Sequence, residues 1–239
     1  MPGGRRVPFL HVTTLTERCV DACVIVTCVT AAYLLLEYHA LPDLLAVHFA
    51  WNGTPNGWQY KTLLRVLMPV IVQATLLLTM GGIGTLLVWR KNAAHMGREP
   101  DVVAAATAAE AVMAMAAIWV AFQGYAAISL VQVWKGGGTT LGSFYTVLEG
   151  IGIVLTAIVG IRAHRRLGRP AQPVYIPAHW RLGQLYCNAE DPALFVPTRD
   201  GRRWTLNFGR PAAAILLGGV LIVGIALPVL VLMIGLRSS

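Results

Sequence analysis

The chain has 239 residues, 56% of them hydrophobic and only 13% charged, with a formal net charge of +8. A soluble domain carries roughly 25% charge, so this composition, with a mean hydropathy of +0.62, excludes an ordinary water-soluble globule. The cation surplus reads as membrane topology and anionic-lipid contact, not as direct nucleic-acid binding.

Five apolar runs are predicted as transmembrane α-helices: 19–38, 62–89, 102–134, 144–161 and 211–236. About 20 residues cross a hydrocarbon core roughly 30 Å thick, and helices satisfy their own backbone groups in lipid. After the first run comes the segment 39–60, which has no Lys or Arg and is rich in rings (Phe49, Trp51, Trp58, Tyr60). Such rings favour the headgroup zone, and Asn52-Gly53 and Asn56-Gly57 are turn signals. In the second run Pro69 either kinks the helix or marks its first turn. Glu99-Pro100-Asp101 is a helix start for the third, whose Ala-rich beginning projects beyond the bilayer. A glycine turn at 135–140 leads to the fourth run.

Lys and Arg give the orientation. The tail 1–18, the connection after the second run and the long connection 162–210 hold 15 of the 19 cationic residues. The positive-inside rule then places the N-terminus in the cytosol, 39–60 outside, 162–210 inside and the C-terminus outside a cell membrane. Within 162–210, the residues Leu194-Phe195-Val196 and Trp204-Thr205-Leu206-Asn207-Phe208 have strand character around an Asp200-Gly201 turn, so a small cytosolic β-hairpin is expected. The expected fold class is therefore an all-α integral membrane protein with five transmembrane helices and a cytosolic β-hairpin segment. Its organisation reads as a tail (1–18), a two-helix membrane domain (19–89), helices three and four (102–161), a basic hairpin segment (162–210) and a fifth helix with its tail (211–239).

Within 39–60, His48 is the most pointed polar residue. Imidazole titrates near neutral pH and is a common metal ligand. Three readings stand side by side: a brace for the turn under Trp58; a ligand, peptide or proton site shared with Asp43, Trp51 and Trp58; or a metal ligand near Glu37, His39 and Asp43. The spacing fits no zinc signature, so no metal or other cofactor is expected. Among intramembrane acids, which are costly in lipid, Glu149 either lines a polar cavity, pairs with Lys135 or Lys61, or sits at the interface. Glu110 lies at the interface if the third helix projects. Glycines at 81, 82, 84, 150, 152, 218 and 219 suggest close helix packing. Arg162, Arg165, Arg166 and Arg169 form an anionic-lipid anchor or hold a protein partner. Nothing matches a nucleophile–base pair or a dinucleotide fingerprint. No catalytic residue is expected, and the chain reads as a non-enzyme.

Two segments carry a family resemblance. Leu41, Pro42, His48, Phe49, Gly53, Pro55, Gly57 and Trp58, in that order, resemble the bacterial membrane domain known as domain-of-unknown-function 1648. Trp180, Tyr186, Asn188, Asp191, Pro192, Phe195, Val196, Pro197, Gly201, Trp204, Thr205, Asn207 and Phe208 are similar to a second small family, domain-of-unknown-function 5808, in which Gly201 and Trp204 are adjacent; here Arg202 and Arg203 separate them. The first domain also occurs in proteins similar to the SdpI-like immunity proteins. Those protect producing cells from a secreted peptide and tether a repressor at the membrane. The resemblance implies toxin-peptide immunity or envelope-stress sensing through 39–60, with a peptide toxin as ligand and a cytosolic regulator as partner. It implies structural roles for Pro42, Gly57, Trp180, Asn188, Asp191, Pro192, Trp204 and Asn207. The alternatives are a small transporter or transporter accessory subunit, resting on Glu149 and the glycine-rich helices, and a membrane enzyme.

Overall fold

The computed structural model describes residues 12–50, 52–88, 99–167, 175–191, 193–199 and 204–222. Helix α1 (Thr14–Glu37) begins ahead of its apolar run. Thr13 supplies the reason, because its Oγ1 accepts from the Thr16 backbone N–H at 3.2 Å and caps the first turn. The second expected helix is two pieces, α2 (Leu63–Val66) and α3 (Met68–Val88). Thr62 Oγ1 caps α2 through the Arg65 N–H at 3.3 Å. Pro69 falls in the first turn of α3, where its missing N–H costs nothing.

Helix α4 (Glu99–Trp134) has 36 residues, about 54 Å at 1.5 Å per residue. That exceeds a bilayer core, and its apolar stretch is Ala106–Trp134. Helix α5 (Ser143–Leu167) runs past the expected end at 161. It takes His164, Arg165 and Arg166 into its last turn, where cations suit the C-terminal end of the helix dipole. Helix α6 (Pro211–Leu221) starts with proline at its first position. Among the described residues four helices, α1, α3, α4 and α5, are long and apolar enough to cross a membrane. The expected fifth span runs on to 236, and residues 223–239 lie outside the described residues.

The described residues also form three two-stranded antiparallel sheets: β1 (Leu44–Phe49) with β2 (Pro55–Tyr60), β3 (Trp180–Arg181) with β4 (Leu185–Tyr186), and β5 (Phe195–Pro197) with β6 (Trp204–Leu206). The β5–β6 pair is the expected hairpin. The segment 39–60, expected only as a loop with turn signals, is a strand pair, and β3–β4 was not expected at all.

The chain forms two compact units. One contains the described parts of Arg18–Leu78 and Ala114–Val159. Its core joins Leu34, Leu45, Ala46, Val66, Ala127, Val131 and Trp134. An aromatic seam ties α4 to α5: Trp119 Nε1 donates to Thr156 Oγ1 at 3.0 Å, and Phe122 lies 5.1 Å from the Tyr145 ring. The other unit contains the described parts of Met1–Glu17, Thr79–Met113 and Gly160–Pro228. Its helical core is Leu87, Val88 and Ala109. The glycine faces correct the sequence expectation. Among the described residues a Cβ at Gly81, Gly82, Gly150, Gly218 or Gly219 would meet nothing within 4 Å, whereas Gly84 and Gly152 pack on Met113 and Trp119.

Candidate functional site

The β1–β2 hairpin is pinned at its base, its middle and its tip. At the base, Lys61 Nζ donates to Leu41 O at 2.6 Å and lies 3.7 Å from the Asp43 carboxylate. The Lys61 N–H closes the strand ends on Asp43 O at 2.6 Å, and its ammonium sits 5.3 Å from the Tyr38 ring centre. Glu37, at the end of α1, pairs with Lys135, just beyond α4. In the middle, Leu45 and Ala46 enter the core, and buried Trp134 Nε1 donates to Ala46 O at 2.8 Å. At the tip, Asn52 Oδ1 accepts from both the N–H and the hydroxyl of Thr54. Gly53, at φ +79°, accepts from the Leu141 N–H at 3.0 Å. The Asn-Gly-Thr run thus serves the turn itself.

One face of this hairpin is open. Leu44 pairs with Tyr60 and Ala46 with Trp58, while the register shifts around Val47. Asn56, Trp58 and Tyr60 alternate along β2 and therefore share a face. Trp58 is 54% exposed and Tyr60 is 76% exposed. The His48 Cβ stands against Gly57, on the other face, but its ring reaches Asn56, Nδ1 meeting Oδ1 at 2.6 Å. The amide oxygen is an acceptor, so in this bond Nδ1 donates. Gly57 lies opposite His48, and a Cβ there would come within 2.9 Å of the His48 Cβ.

The groups that sequence placed near His48 have contacts of their own. Glu37 is bound to Lys135, and His39 stacks edge-on with Tyr38. The Asp43 side chain is 96% exposed beside Lys61. Pro42 is an exposed residue leading into β1, and Trp51 lies outside the described residues. Among the described residues no three His, Cys, Asp or Glu side chains converge as a metal-binding group.

The two acids expected in the apolar helices differ. Glu149 is exposed on α5, one turn beyond Tyr145. Its expected partners are engaged elsewhere, Lys135 with Glu37 and Lys61 with Leu41 and Asp43. Glu110 is largely covered, accepting from Thr13 Oγ1 at 3.1 Å and from Arg166 Nη1 at 2.9 Å. It therefore ties the start of α1 to the end of α5. Sequence reading missed Gln73, which is fully buried on α3. Its Nε2 donates to Thr30 Oγ1 at 3.2 Å and to Val120 O at 2.9 Å, beside Gly124. An amide in an apolar run was the available signal, since such groups bond across helices in lipid.

The chain from 175 to 210 is organised by Asn207, which is 0% exposed. Its Oδ1 accepts from the N–H groups of Asn188 and Gly209, both at 3.0 Å. Its Nδ2 donates to the carbonyls of Asn188, Asp191 and Ala193 at 2.8, 3.1 and 3.1 Å. Tyr186 donates to Asp191 Oδ2 at 3.0 Å, and its ring meets Trp180 edge-on at 5.3 Å. The motif residues Trp180, Tyr186, Asn188, Asp191 and Asn207 thus converge on one polar knot. Trp204 holds a strand position in β6, and Pro192 lies outside the described residues.

Apolar helices in this number define a multi-pass membrane protein that carries two small β modules. Residues 25–72, from within α1 through the hairpin into α3, match the family model described as Domain of unknown function (DUF1648). No curated protein and no solved structure matches the chain.

Proposed function

We propose that this protein binds a membrane-active peptide on the open face of the β1–β2 hairpin, as an immunity or envelope-stress component. One observation carries the reading: Trp58 and Tyr60 stay exposed on a strand whose partner is locked into the core through Leu45, Ala46 and Trp134. Rigid aromatic rings lose little conformational entropy on binding and bury large areas, so a fixed aromatic face suits peptide capture. Asn56, bonded to the His48 ring, adds polar selectivity at one end of the stripe. The resemblance of Leu41–Trp58 to domains found in SdpI-like immunity proteins supports the same reading, and the cation distribution favours an outside position for the hairpin. The second resemblance, at 180–208, fits a cytosolic module that engages a regulator.

The test expresses the wild-type chain, His48→Ala and Trp58→Ala at equal membrane levels in a sensitive bacterium. Cells are challenged with secreted membrane-active peptides. Wild-type protection against one of them, lost in Trp58→Ala and weakened in His48→Ala, is the expected result. Survival that is the same in all three strains rejects binding at this face.

A further inference from the structure

The turn joining β3 to β4 holds a residue that the protein itself does not explain. Leu182 has φ +50° and Gly183 φ +73°, and Gln184 N–H donates to Arg181 O at 3.2 Å. Two successive left-handed residues closed by that bond make a type I′ turn, whose first central position favours Asn, Asp or Gly. A leucine there is strained, and Leu182 is the only non-glycine residue with positive φ among the described residues. Packing does not repay the strain, since Leu182 is 92% exposed. Among the described residues nothing covers this side chain, so a partner surface is a candidate for the compensation.

The surroundings identify what could supply it. Arg181 precedes Leu182 and is exposed, and Leu185, across the ladder from Arg181, is also exposed. Ile176 and Tyr175 add exposed apolar surface, with the Arg199 guanidinium 4.5 Å from the Tyr175 ring centre. Apolar tips flanked by arginines complement an anionic lipid surface, where apolar groups enter the headgroup boundary and cations meet phosphates. The chain also keeps this module near a bilayer. It is joined to membrane-crossing α5 by residues 168–174, which reach at most about 25 Å even fully extended. On its other side, apolar α6 begins at Pro211, shortly after β6.

We propose that the β3–β4 turn is a lipid-docking tip that sets Leu182 into the headgroup boundary of an anionic leaflet, with Arg181 on the lipid phosphates. The full chain is reconstituted in phosphatidylcholine vesicles containing about 30% phosphatidylglycerol, an anionic content that gives a clear surface potential. A phospholipid with a diazirine near the top of its acyl chain is photolysed, and adducts are mapped on the tryptic peptide beginning at Leu182. Wild-type protein carries adducts at 182–185. Leu182→Asn lowers them about tenfold, as expected for removing the buried apolar side chain. The same substitution leaves thermal stability in detergent equal or higher, because Asn-Gly is the favoured type I′ pair. Vesicles of phosphatidylcholine alone also give fewer adducts. Absence of adducts from the wild-type tip, including a tip covered instead by a protein, overturns the proposal. So does equal labelling of wild type and Leu182→Asn. Labelling unchanged in phosphatidylcholine alone overturns the role given to Arg181.

Discussion

Replacing Asn207 with alanine should open the 175–210 module and leave the apolar helices folded. The side chain makes five hydrogen-bond contacts, accepting from two backbone N–H groups and sharing its two N–H hydrogens among three carbonyls. Alanine releases all five backbone groups at a site that is fully buried. At about 1 kcal/mol net for each of four full bonds the loss is about 4 kcal/mol, and groups left dry and unpaired raise it. At roughly 0.1 kcal/mol of stability per residue, a module this small has only a few kcal/mol of its own. The perturbation therefore matches or exceeds what holds the module closed. Gly209→Ala should act on the same knot, because its Cβ would lie 2.5 Å from the backbone N and carbonyl C of Asn188.

Hydrogen exchange read by mass spectrometry on the full chain in detergent checks this. In wild type the amides of Asn188, Asn207, Phe208 and Gly209 should be protected, since each donates within the module. In Asn207→Ala their protection should fall by about a thousandfold or to the intrinsic rate, whichever is reached first, while peptides from α3 and α4 stay unchanged. Asn207→Asp separates the two halves of the effect. It keeps an oxygen for the two N–H donors and turns the other against three carbonyl oxygens, so it should open the module as well. Protection within about threefold of wild type in Asn207→Ala, equivalent to less than about 1 kcal/mol, would refute the reasoning.

Two further substitutions probe the membrane-embedded unit. Trp134→Phe removes the buried Nε1–Ala46 O bond and leaves a carbonyl unpaired; it should cost about 1–3 kcal/mol, seen as a lower melting temperature in detergent and faster exchange in β1. Gln73→Leu should change stability by no more than about 1 kcal/mol, because the two bonds it removes are offset by removing an Oε1 with no partner among the described residues, whereas Gln73→Ala should cost about 2 kcal/mol or more through the cavity it leaves.

The helices were legible because lipid imposes a coarse rule on sequence, and α1, α3, α4 and α5 obey it. Their ends were less legible, because polar chemistry sets them: Thr13 starts α1 early, and the dipole lets α5 absorb cations. The β5–β6 hairpin was readable from β-branched and aromatic residues around Asp200-Gly201. The β3–β4 hairpin was not, since its turn carries Leu-Gly where the favoured signal is Asn-Gly. The run Leu44-Leu45-Ala46-Val47-His48-Phe49 lacks strict alternation because the register shifts around Val47, which hid β1. Pairings between distant residues were the least accessible. Lys135 had several acids within sequence reach, and only the packing of α1 against α4 selects Glu37 over Glu149. Gln73 meets a hydroxyl 43 positions away and a main-chain carbonyl, and the latter leaves no mark on residue type.

A two-stranded hairpin alone is marginal in water, so the rigidity of β1–β2 must come from what it touches. Among the described residues the contacts that supply it include Leu45 and Ala46 in the core, Trp134 on the Ala46 carbonyl, Lys61 across the base and Leu141 on the Gly53 carbonyl. Trp58 and Tyr60 contribute little to that list, although rings of their size would gain much by burial. Removing the Trp58 side chain should therefore spare the hairpin's fold. Protection of the β1 amides in Trp58→Ala should match wild type even as peptide resistance is lost. If β1 instead opens in Trp58→Ala, the exposed ring is part of the hairpin's own support, and loss of resistance in that variant no longer points to a binding face.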